Sequence, residues 1–300
     1  MGFCMGVRRA VQIMEGEATP ANPVYSVGEI VHNPHVVKGL EAGGVHQLPG
    51  PDEVGGDIGR VTADRVKEGR VAITAHGVGE RVMRELEGSG LDIIDTTCPI
   101  VTRAQRYARK FVRDGWHVLV FGDSGHKEVR GIVGWTLDDE GVSKATIVDR
   151  YDIESLRKLV DEFPGGFPNK ICLMVQTTHR VEDFAHFVGN LMLLRRDHNF
   201  EFHIVNTLCH ATTGQQEAAA ALALTVDVMV IVGGRKSANT RNLREVCEEQ
   251  GTPAYQVEDA SEVDAAWFDG ALRIGLTAGA STPDDSIAEV EARIRELVPA

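Results

Sequence analysis

The sequence predicts an α/β protein of three similar small lobes, each with a mainly parallel sheet. Three observations lead to this fold class. Short Val/Ile-rich runs recur along the chain, as in parallel strands that are covered on both faces. Longer amphipathic segments separate these runs, as expected of helices that pack outside a sheet. Three cysteines stand at similar strand-to-helix junctions, about 100 residues apart, which is the size of one small domain.

The strands are clearest where an apolar run stops at a glycine or a polar residue. In chain order these segments are "RVAITAHG", "HVLVFGDSGHKE", "KICLMVQTTH", "DVMVIVGGRKSANT" and "RIGLTAGASTPD". A shorter Val/Ile run, in "VGEIVHNPHVV", closes at His32. Ligands of open parallel sheets bind beyond the carboxyl ends of the strands. The polar residues that follow these runs are therefore candidate site residues.

Helices are predicted where apolar residues recur every three to four positions. In chain order these segments are "VRRAVQIMEGEA", "VGERVMRELEGSG", "TRAQRYARKFVRDG", "DIESLRKLVDEF", "RVEDFAHFVGNLMLL", "GQQEAAAALAL", "NTRNLREVCEEQG" and "DDSIAEVEARIREL". Several end in glycine, which readily adopts the left-handed conformation after a helix. The Pro/Gly-rich stretch "LPGPDEVGGDIG" predicts a surface loop over residues 48–59.

Composition and charge narrow the class of protein. The chain has 300 residues, of which 43% are hydrophobic and 25% charged, as in ordinary soluble globular proteins. A net charge of −13 argues against binding nucleic acid through a general basic field. There is no apolar run of about 18 residues and no secretory signal pattern at the N-terminus. We therefore expect no membrane association and a cytoplasmic location.

The five cysteines divide into two groups. An odd number in a reducing compartment excludes a complete disulfide framework. Cys172 lies within "ICLMV" and Cys247 lies on a predicted helix, as is typical of core residues. Cys4, Cys98 and Cys209 instead precede helices, where backbone N–H groups and the positive helix end favour a thiolate. Three such thiolates can hold an iron–sulfur cluster and leave one iron open to substrate. Three unrelated buried cysteines are the alternative.

Polar residues that follow the predicted strands complete the candidate site. Taken singly, such residues are usually helix caps or turn residues. Together they could bind an anion through hydrogen bonds, since bonds to charged oxygens are strong. Glu128 would act as a proton donor if burial raises its pKa. The candidates are His32, His76, His126, Glu128, Thr177, Thr178, Ser237, Asn239 and Ser281.

Nine segments, in order from Gly2 to Asp284, resemble one known family. They are "GFCMGVRRA", "HNPHVV", "TAHGV", "DTTCPIV", "GHKEV", "QTTHR", "NTLCHAT", "GGRKSANT" and "GLTAGASTPD". This ordered set is similar to that of the 4-hydroxy-3-methylbut-2-enyl diphosphate reductases, the last enzymes of the non-mevalonate isoprenoid pathway. The resemblance implies a three-lobed trefoil around a central [4Fe–4S] cluster on Cys4, Cys98 and Cys209.

The lobes implied in this way cover residues 5–97, 98–206 and 207–283. Residues 1–4 contribute the first cysteine, and residues 284–300 form a C-terminal helix or tail. The implied reaction removes the allylic hydroxyl of a small diphosphate with two electrons and protons. Its products are isopentenyl and dimethylallyl diphosphate, and its electron donor is a ferredoxin or flavodoxin.

The resemblance also implies roles for the candidate residues. His126, Glu128 and Thr177 would organise the hydroxyl and deliver the proton. The residues expected to bind the substrate are His32, His76, Thr178, Ser237, Asn239 and Ser281.

The chain departs from the family pattern at several positions around these residues. Ala238 stands where a second serine is usual, Lys236 replaces an asparagine, and Gln215 replaces an arginine; His210 follows the third cysteine. These departures leave open a paralogue with the same cluster and another substrate. Further alternatives are a non-catalytic iron–sulfur redox sensor and a metal-free α/β domain that binds a small anion.

Overall fold

The structure is a computed structural model that describes residues 1–50, 62, 65, 66, 69–138, 140–163, 165–195 and 198–298. Most of the loop expected at residues 48–59 lies outside this range. The described strands are β1 (Val24–Val27), β2 (Val45–Leu48), β3 (Arg70–Ile73), β4 (Asp92–Asp95), β5 (His117–Phe121), β6 (Ala145–Val148), β7 (Lys170–Val175), β8 (Glu201–Ile204), β9 (Val228–Val232), β10 (Ala254–Val257) and β11 (Ile274–Ala278).

The described α-helices alternate with these strands. They are α1 (Met5–Glu17), α2 (Pro34–Ala42), α3 (Glu80–Gly88), α4 (Pro99–Arg113), α5 (Lys127–Val133), α6 (Ile153–Asp161), α7 (Val181–Leu194), α8 (His210–Ala223), α9 (Ala238–Glu249) and α10 (Asp284–Leu297). The predicted fold class, α/β with mainly parallel sheets, is confirmed. None of these described helices is long and apolar enough to cross a membrane.

The chain divides into two compact units. The first comprises Met1–Gln47 and Cys209–Ala300, and the second comprises Leu48–Leu208. In the first unit β1 lies beside β2, and in the second β3 pairs in parallel with β4. Each unit also contains one complete parallel sheet. The three-lobe boundaries given by the sequence stay a prediction.

The larger sheet of the second unit has the strand order β6-β5-β7-β8, with parallel neighbours. Along β7, Ile171, Leu173 and Val175 face one core while Cys172 and Met174 face another. Helices α6 and α7 supply the first core, and α4 and α5 supply the second. This two-sided burial explains why the strand is a continuous apolar run rather than an alternating one.

The sheet of the first unit has the order β10-β9-β11, again parallel. Along β9, Val228, Val230 and Val232 pack on the side of α10, whereas Met229 and Ile231 pack on the side of α8 and α9. Cys247 lies within this second core, as the sequence predicts. The expected left-handed glycines also occur, at Gly90 after α3, Gly115 after α4 and Gly251 after α9.

The structure differs from the sequence expectations in three respects, of which the first is that strands β1, β2, β6 and β10 were not among the predicted runs. The run that closes at His32 is not a strand, because β1 ends at Val27 and residues 28–33 form a loop. Helices α2 and α5 were not anticipated. Helix α2 begins with Asn33 as its cap and a proline in its first turn, and α5 has only 7 residues, too few to give a clear period.

Candidate active site

Glu128, in the first turn of α5 of the second unit, has a fully buried carboxyl group. Its side chain is 2% exposed. Oε1 accepts a hydrogen bond from the Thr177 backbone N–H at 2.7 Å, and Oε2 accepts one from the Thr177 hydroxyl at 2.8 Å. Burial raises the pKa of Glu128 above its ordinary value of 4.5, although both bonds from Thr177 act to lower it. Burial therefore favours the protonated carboxyl group, the form that could act as a proton donor.

Two histidines are linked to Glu128, His126 through the Glu128 backbone and His76 through the His126 ring. His126 caps α5, and its Nδ1 accepts the Glu128 backbone N–H at 3.3 Å. Because Nδ1 acts as an acceptor, the proton of the neutral ring is assigned to Nε2. The ring of His76, which follows β3, lies 5.8 Å from that of His126 between centroids, at 78°. The second unit thus brings together His76, His126, Glu128 and Thr177.

Thr178 differs from its neighbour Thr177 in its contacts. Its hydroxyl oxygen accepts a hydrogen bond from Gln176 Nε2 at 3.0 Å. Gln176 Oε1 in turn accepts the Asp123 backbone N–H at 3.0 Å. These bonds join the loops after β5 and β7 and hold Thr177 in register with Glu128. A substrate-binding role for Thr178 stays a prediction.

His32, in the first unit, is held by a carboxylate that the sequence analysis did not identify. His32 Nδ1 lies 3.1 Å from Glu29 Oε2, and Lys236 Nζ lies 2.9 Å from Glu29 Oε1. The hydrogen bond from His32, followed by the bond and charge of Lys236, lowers the pKa of Glu29 to about 2. Glu29 is therefore ionised at neutral pH and accepts the Nδ1 proton of His32.

The loops after β1, β9 and β11 converge on His32. The Ser281 hydroxyl donates to the His32 carbonyl at 3.3 Å. A Cβ atom on Gly234 would lie 2.6 Å from the same carbonyl oxygen, so only glycine permits this approach. These contacts place His32, Ser281 and the start of α9 in one group within the first unit.

Asn239 lies in the first turn of α9, two residues after the cap Ser237. It is 3% exposed and donates through Nδ2 to Gln215 Oε1 at 3.0 Å. Gln215 Nε2 donates to the Gly2 carbonyl at 3.2 Å, which fixes the orientation of the Gln215 amide. Asn239 Oδ1 is buried and has no hydrogen-bond partner within the described part of the chain. Burying an oxygen without a hydrogen-bond partner costs free energy. Asn239 Oδ1 is therefore expected to accept a hydrogen bond from water or a ligand.

The three junction cysteines cap helices, and the two remaining cysteines lie in cores. Cys4 caps α1, Cys98 caps α4 and Cys209 caps α8; all three are partly buried free thiols. Cys172 and Cys247 are buried, and desolvation raises the pKa of each, to about 12 and about 11 respectively. The predicted division into junction and core cysteines is confirmed.

Cys4 shows which effect decides the state of a junction thiol. Its sulfur accepts the Val7 N–H at 3.5 Å, in the manner expected at a helix N-terminus. Burial nevertheless raises its pKa, and the neighbouring charge of Cys209 acts in the same direction. The backbone N–H groups at the helix start thus favour the thiolate of Cys4, as expected, but burial acts more strongly in the opposite direction. A bound metal would itself deprotonate a coordinating thiol.

A repeated turn positions the second and third junctions. Asp95 Oδ1 accepts the Thr97 N–H at 2.9 Å, and Asn206 Oδ1 accepts the Leu208 N–H at 3.0 Å. The Thr96 hydroxyl donates to the Ile73 carbonyl at 2.5 Å, and the Thr207 hydroxyl donates to the Val175 carbonyl. The similar sequences "DTTC" and "NTLC" thus form the same turn, which ends at a cysteine that caps the next helix.

Among the residues that the structure describes, no three His, Cys, Asp or Glu side chains could hold one metal ion. A [4Fe–4S] cluster instead takes cysteine sulfurs on separate irons. Cys4 and Cys209 fit this requirement within the first unit, since both are partly buried and a thiolate at Cys209 raises the pKa of Cys4. That Cys98, in the second unit, also binds the cluster stays a prediction.

Comparisons with known families and solved structures agree with this geometry. The family model described as LytB protein matches residues 1–295. A 4-hydroxy-3-methylbut-2-enyl diphosphate reductase of Geobacter metallireducens is 38% identical over 298 residues, covering 99% of this chain and 95% of the relative. A protein of the same name from Dehalococcoides mccartyi strain CBDB1 is 37% identical over 297 residues, covering 97% and 93%.

Two solved structures have the same fold. One, the E-1-hydroxy-2-methyl-but-2-enyl-4-diphosphate reductase of Plasmodium falciparum, gives a TM-score of 0.81 at 25% identity, covering 98% of this chain and 85% of that one. The other, an (E)-4-hydroxy-3-methyl-but-2-enyl diphosphate reductase described as the terminal enzyme of the non-mevalonate pathway, gives 0.66 at 34% identity, covering 98% and 96%.

Proposed function

Because the chain belongs to the LytB protein family, whose curated relatives are diphosphate reductases, we propose that it reduces 4-hydroxy-3-methylbut-2-enyl diphosphate. The products would be isopentenyl and dimethylallyl diphosphate. The observation that carries the proposal is the buried Glu128 carboxyl group, held at both oxygens by Thr177. A proton on a buried carboxyl group is suited to the departure of a hydroxyl group as water.

Cys4, Cys98 and Cys209 would hold a [4Fe–4S] cluster. When bound, the cluster would supply the electrons and an iron that accepts an oxygen ligand. The chain supports this assignment through its three partly buried, helix-capping thiols. The core cysteines Cys172 and Cys247 would take no part.

Glu128 would hold the proton and pass it along a short path. The Thr177 hydroxyl donates to Glu128 Oε2 at 2.8 Å; when Glu128 is protonated this bond would reverse, so that Glu128 donates to the threonine oxygen. His126 would donate from Nε2, since its Nδ1 is an acceptor. These groups are excluded from bulk water, because Glu128, His126 and Thr177 are each at most 8% exposed.

The diphosphate would be bound by His32, His76, Ser237, Asn239, Ser281 and the neighbouring Thr178. No basic patch is needed, because hydrogen bonds to charged oxygens are individually strong. Glu29 supports His32 in this role by holding its Nδ1 proton. Asn239 would donate to the diphosphate through the second hydrogen of Nδ2, since the first is bonded to Gln215 Oε1.

The electrons would come from a ferredoxin or flavodoxin in the cytoplasm. The test is anaerobic turnover of 4-hydroxy-3-methylbut-2-enyl diphosphate by the reconstituted protein with a strong reductant. We expect about four irons per chain and formation of both products. Protein that holds its cluster but leaves this substrate unchanged would contradict the proposed substrate, and protein that binds no iron would contradict the mechanism.

A second candidate is a reductase of a related hydroxylated anion. Two contacts favour it: Asn239 Nδ2 is bonded to Gln215, and Lys236 is bonded to Glu29. Both contacts involve positions where the chain departs from the family pattern, so they change the donors that a diphosphate would meet. A competition experiment distinguishes the two candidates. It measures the ratio of kcat/KM for the diphosphate substrate to kcat/KM for hydroxylated monophosphates.

A further inference from the structure

Helix α4 differs in charge from the rest of the chain. The protein has a net charge of −13, yet this helix contains no acidic residue. Its side chains include five cations, at Arg103, Arg106, Arg109, Lys110 and Arg113. The helix begins directly after Cys98, which is its cap.

Four of these cations form one exposed stripe. Arg103, Arg106, Lys110 and Arg113 are three or four positions apart, so they lie on the same face of the helix, and all four are exposed. Tyr107, on the same face, is 38% exposed. The opposite face is buried and comprises Val101, Ala104, Gln105, Ala108 and Phe111.

The fifth cation, Arg109, lies off this stripe and its charge is neutralised. It lines a groove of 710 Å³, where its Nη2 lies 2.6 Å from Glu80 Oε1. Its guanidinium also lies over the Trp135 ring, 5.4 Å from the centroid. Arg109 thus serves packing within the second unit, whereas the stripe faces solvent.

Within the stripe, one ion pair weakens the positive charge only slightly. Lys110 Nζ lies 2.6 Å from Asp114 Oδ2, and both side chains are about half exposed or more. Surface pairs of this kind contribute little and are screened by salt. The face therefore has four cations against one carboxylate, on a protein whose other charges are mainly negative.

We infer that the exposed face of α4 is the docking surface for a small acidic electron-carrier protein. This inference rests on the proposed function, which requires an external donor. Complementary charge attracts and orients such a carrier, and an exposed tyrosine is common in protein interfaces. Arg103 lies ~8 Å along the helix from Cys98, so a carrier seated here would be near a cysteine that is proposed to hold the cluster.

The electron balance fits a carrier that docks and leaves. Each reduced carrier is oxidised by one electron per encounter. Two encounters supply the two electrons that, with two protons, reduce the substrate and release its hydroxyl group as water. A docking surface that relies on salt-screened charges permits this exchange, because it accelerates association without prolonging the complex.

The test compares Arg103→Glu/Arg106→Glu with a control that has the same change in net charge. The control is Arg293→Glu/Arg295→Glu on α10, where Arg295 is exposed, Arg293 is partly exposed, and both pair with glutamates on their own helix. Reduced ferredoxin is the probe, and its oxidation in the presence of substrate is followed at low and high salt. We expect the α4 variant to slow this oxidation by about tenfold or more at low salt, with the difference fading at high salt.

Turnover with reduced methyl viologen separates this inference from the proposed function. We expect the α4 variant and the control to retain their dye-driven rates. Equal ferredoxin-driven rates in the wild type and the α4 variant would overturn the docking surface, as would an equal loss in the control. If the wild type shows no dye-driven turnover, the proposed function fails. In that case ferredoxin binding to the same variants, measured by calorimetry, tests the docking surface independently of the reaction.

Discussion

Thr177 holds both carboxyl oxygens of Glu128, one through its backbone N–H and the other through its hydroxyl group, at 2.7 and 2.8 Å. The two residues are 49 positions apart and meet where α5 begins and β7 ends. The bidentate contact fixes the carboxyl group in one orientation. Its proton affinity then depends on the balance between burial, which raises the pKa, and these two bonds, which lower it.

Glu128→Gln removes the proton donor and retains the size of the side chain. We expect dye-driven turnover to fall by about 100-fold or more, the range for loss of a general acid. The iron content should not change, because Glu128 is not a proposed ligand. A variant that retains its turnover would exclude the proposed role of Glu128. Wild-type protein that responds to reductant or oxygen without turnover would indicate a sensor instead.

Thr177→Val tests the hydroxyl bond separately from the backbone bond. The Thr177 hydroxyl lowers the pKa of Glu128, so its removal should raise that pKa further. In the proposed mechanism protonated Glu128 is the active form, so activity should be lost as pH rises through its pKa. The alkaline limb of kcat against pH should therefore move to higher pH in Thr177→Val and stay in place in Thr177→Ser, which keeps the hydroxyl group. A shift of the limb to lower pH in the valine variant would contradict this account.

The two groups of cysteines give a matched comparison. Serine in place of Cys4, Cys98 or Cys209 should remove most of the iron and most of the visible absorption after anaerobic reconstitution. Alanine in place of Cys172 or Cys247 should leave the iron content intact and reduce the free energy of unfolding by about 1 kcal/mol or more, since it opens a small cavity. Full iron retention in any of the three serine variants would remove that cysteine from the proposed ligand set.

Lys236 and Arg235 are adjacent cations with different partners. Lys236 binds Glu29, which holds His32, whereas Arg235 binds Glu262. We expect Lys236→Gln to raise the KM of the diphosphate substrate by about threefold to tenfold with little change in kcat, because its loss loosens only a binding residue. Arg235→Gln removes the same charge and should leave KM unchanged. Equal effects of the two variants would indicate a general electrostatic contribution instead.

Glu29 should make stability depend on pH in the acid range. Its pKa is lowered from 4.5 to about 2 by His32 and Lys236. A lowered carboxyl pKa contributes stability that is complete above pH 4.5 and is lost as pH falls toward 2. Chemical denaturation of Glu29→Gln should therefore show a weaker loss of stability over this interval than the wild type. If the free energy of unfolding fell equally with pH in the two proteins, the contacts of Glu29 with His32 and Lys236 would be contradicted.

Local patterns in the sequence were enough to predict most of the fold. The run "VMVIV" is a strand because its residues alternate between two apolar cores, and "DDSIAEVEARIREL" is a helix whose predicted bounds coincide with those of α10. The junction motifs were equally informative. An Asx residue, a threonine and a cysteine in "DTTC" and "NTLC" encode a turn through bonds within a few residues.

The sequence by itself determined the long apolar strands, most of the helices and which cysteines stand at helix starts, since these features depend on side chains a few positions apart. Only the tertiary structure decided that Thr177 binds Glu128, that Glu29 joins His32 to Lys236, and that burial outweighs the helix end at Cys4. These outcomes depend on which distant loops pack together and how much water they exclude. Hydrogen-bond partners and desolvation are properties of that packing, and no local pattern specifies them.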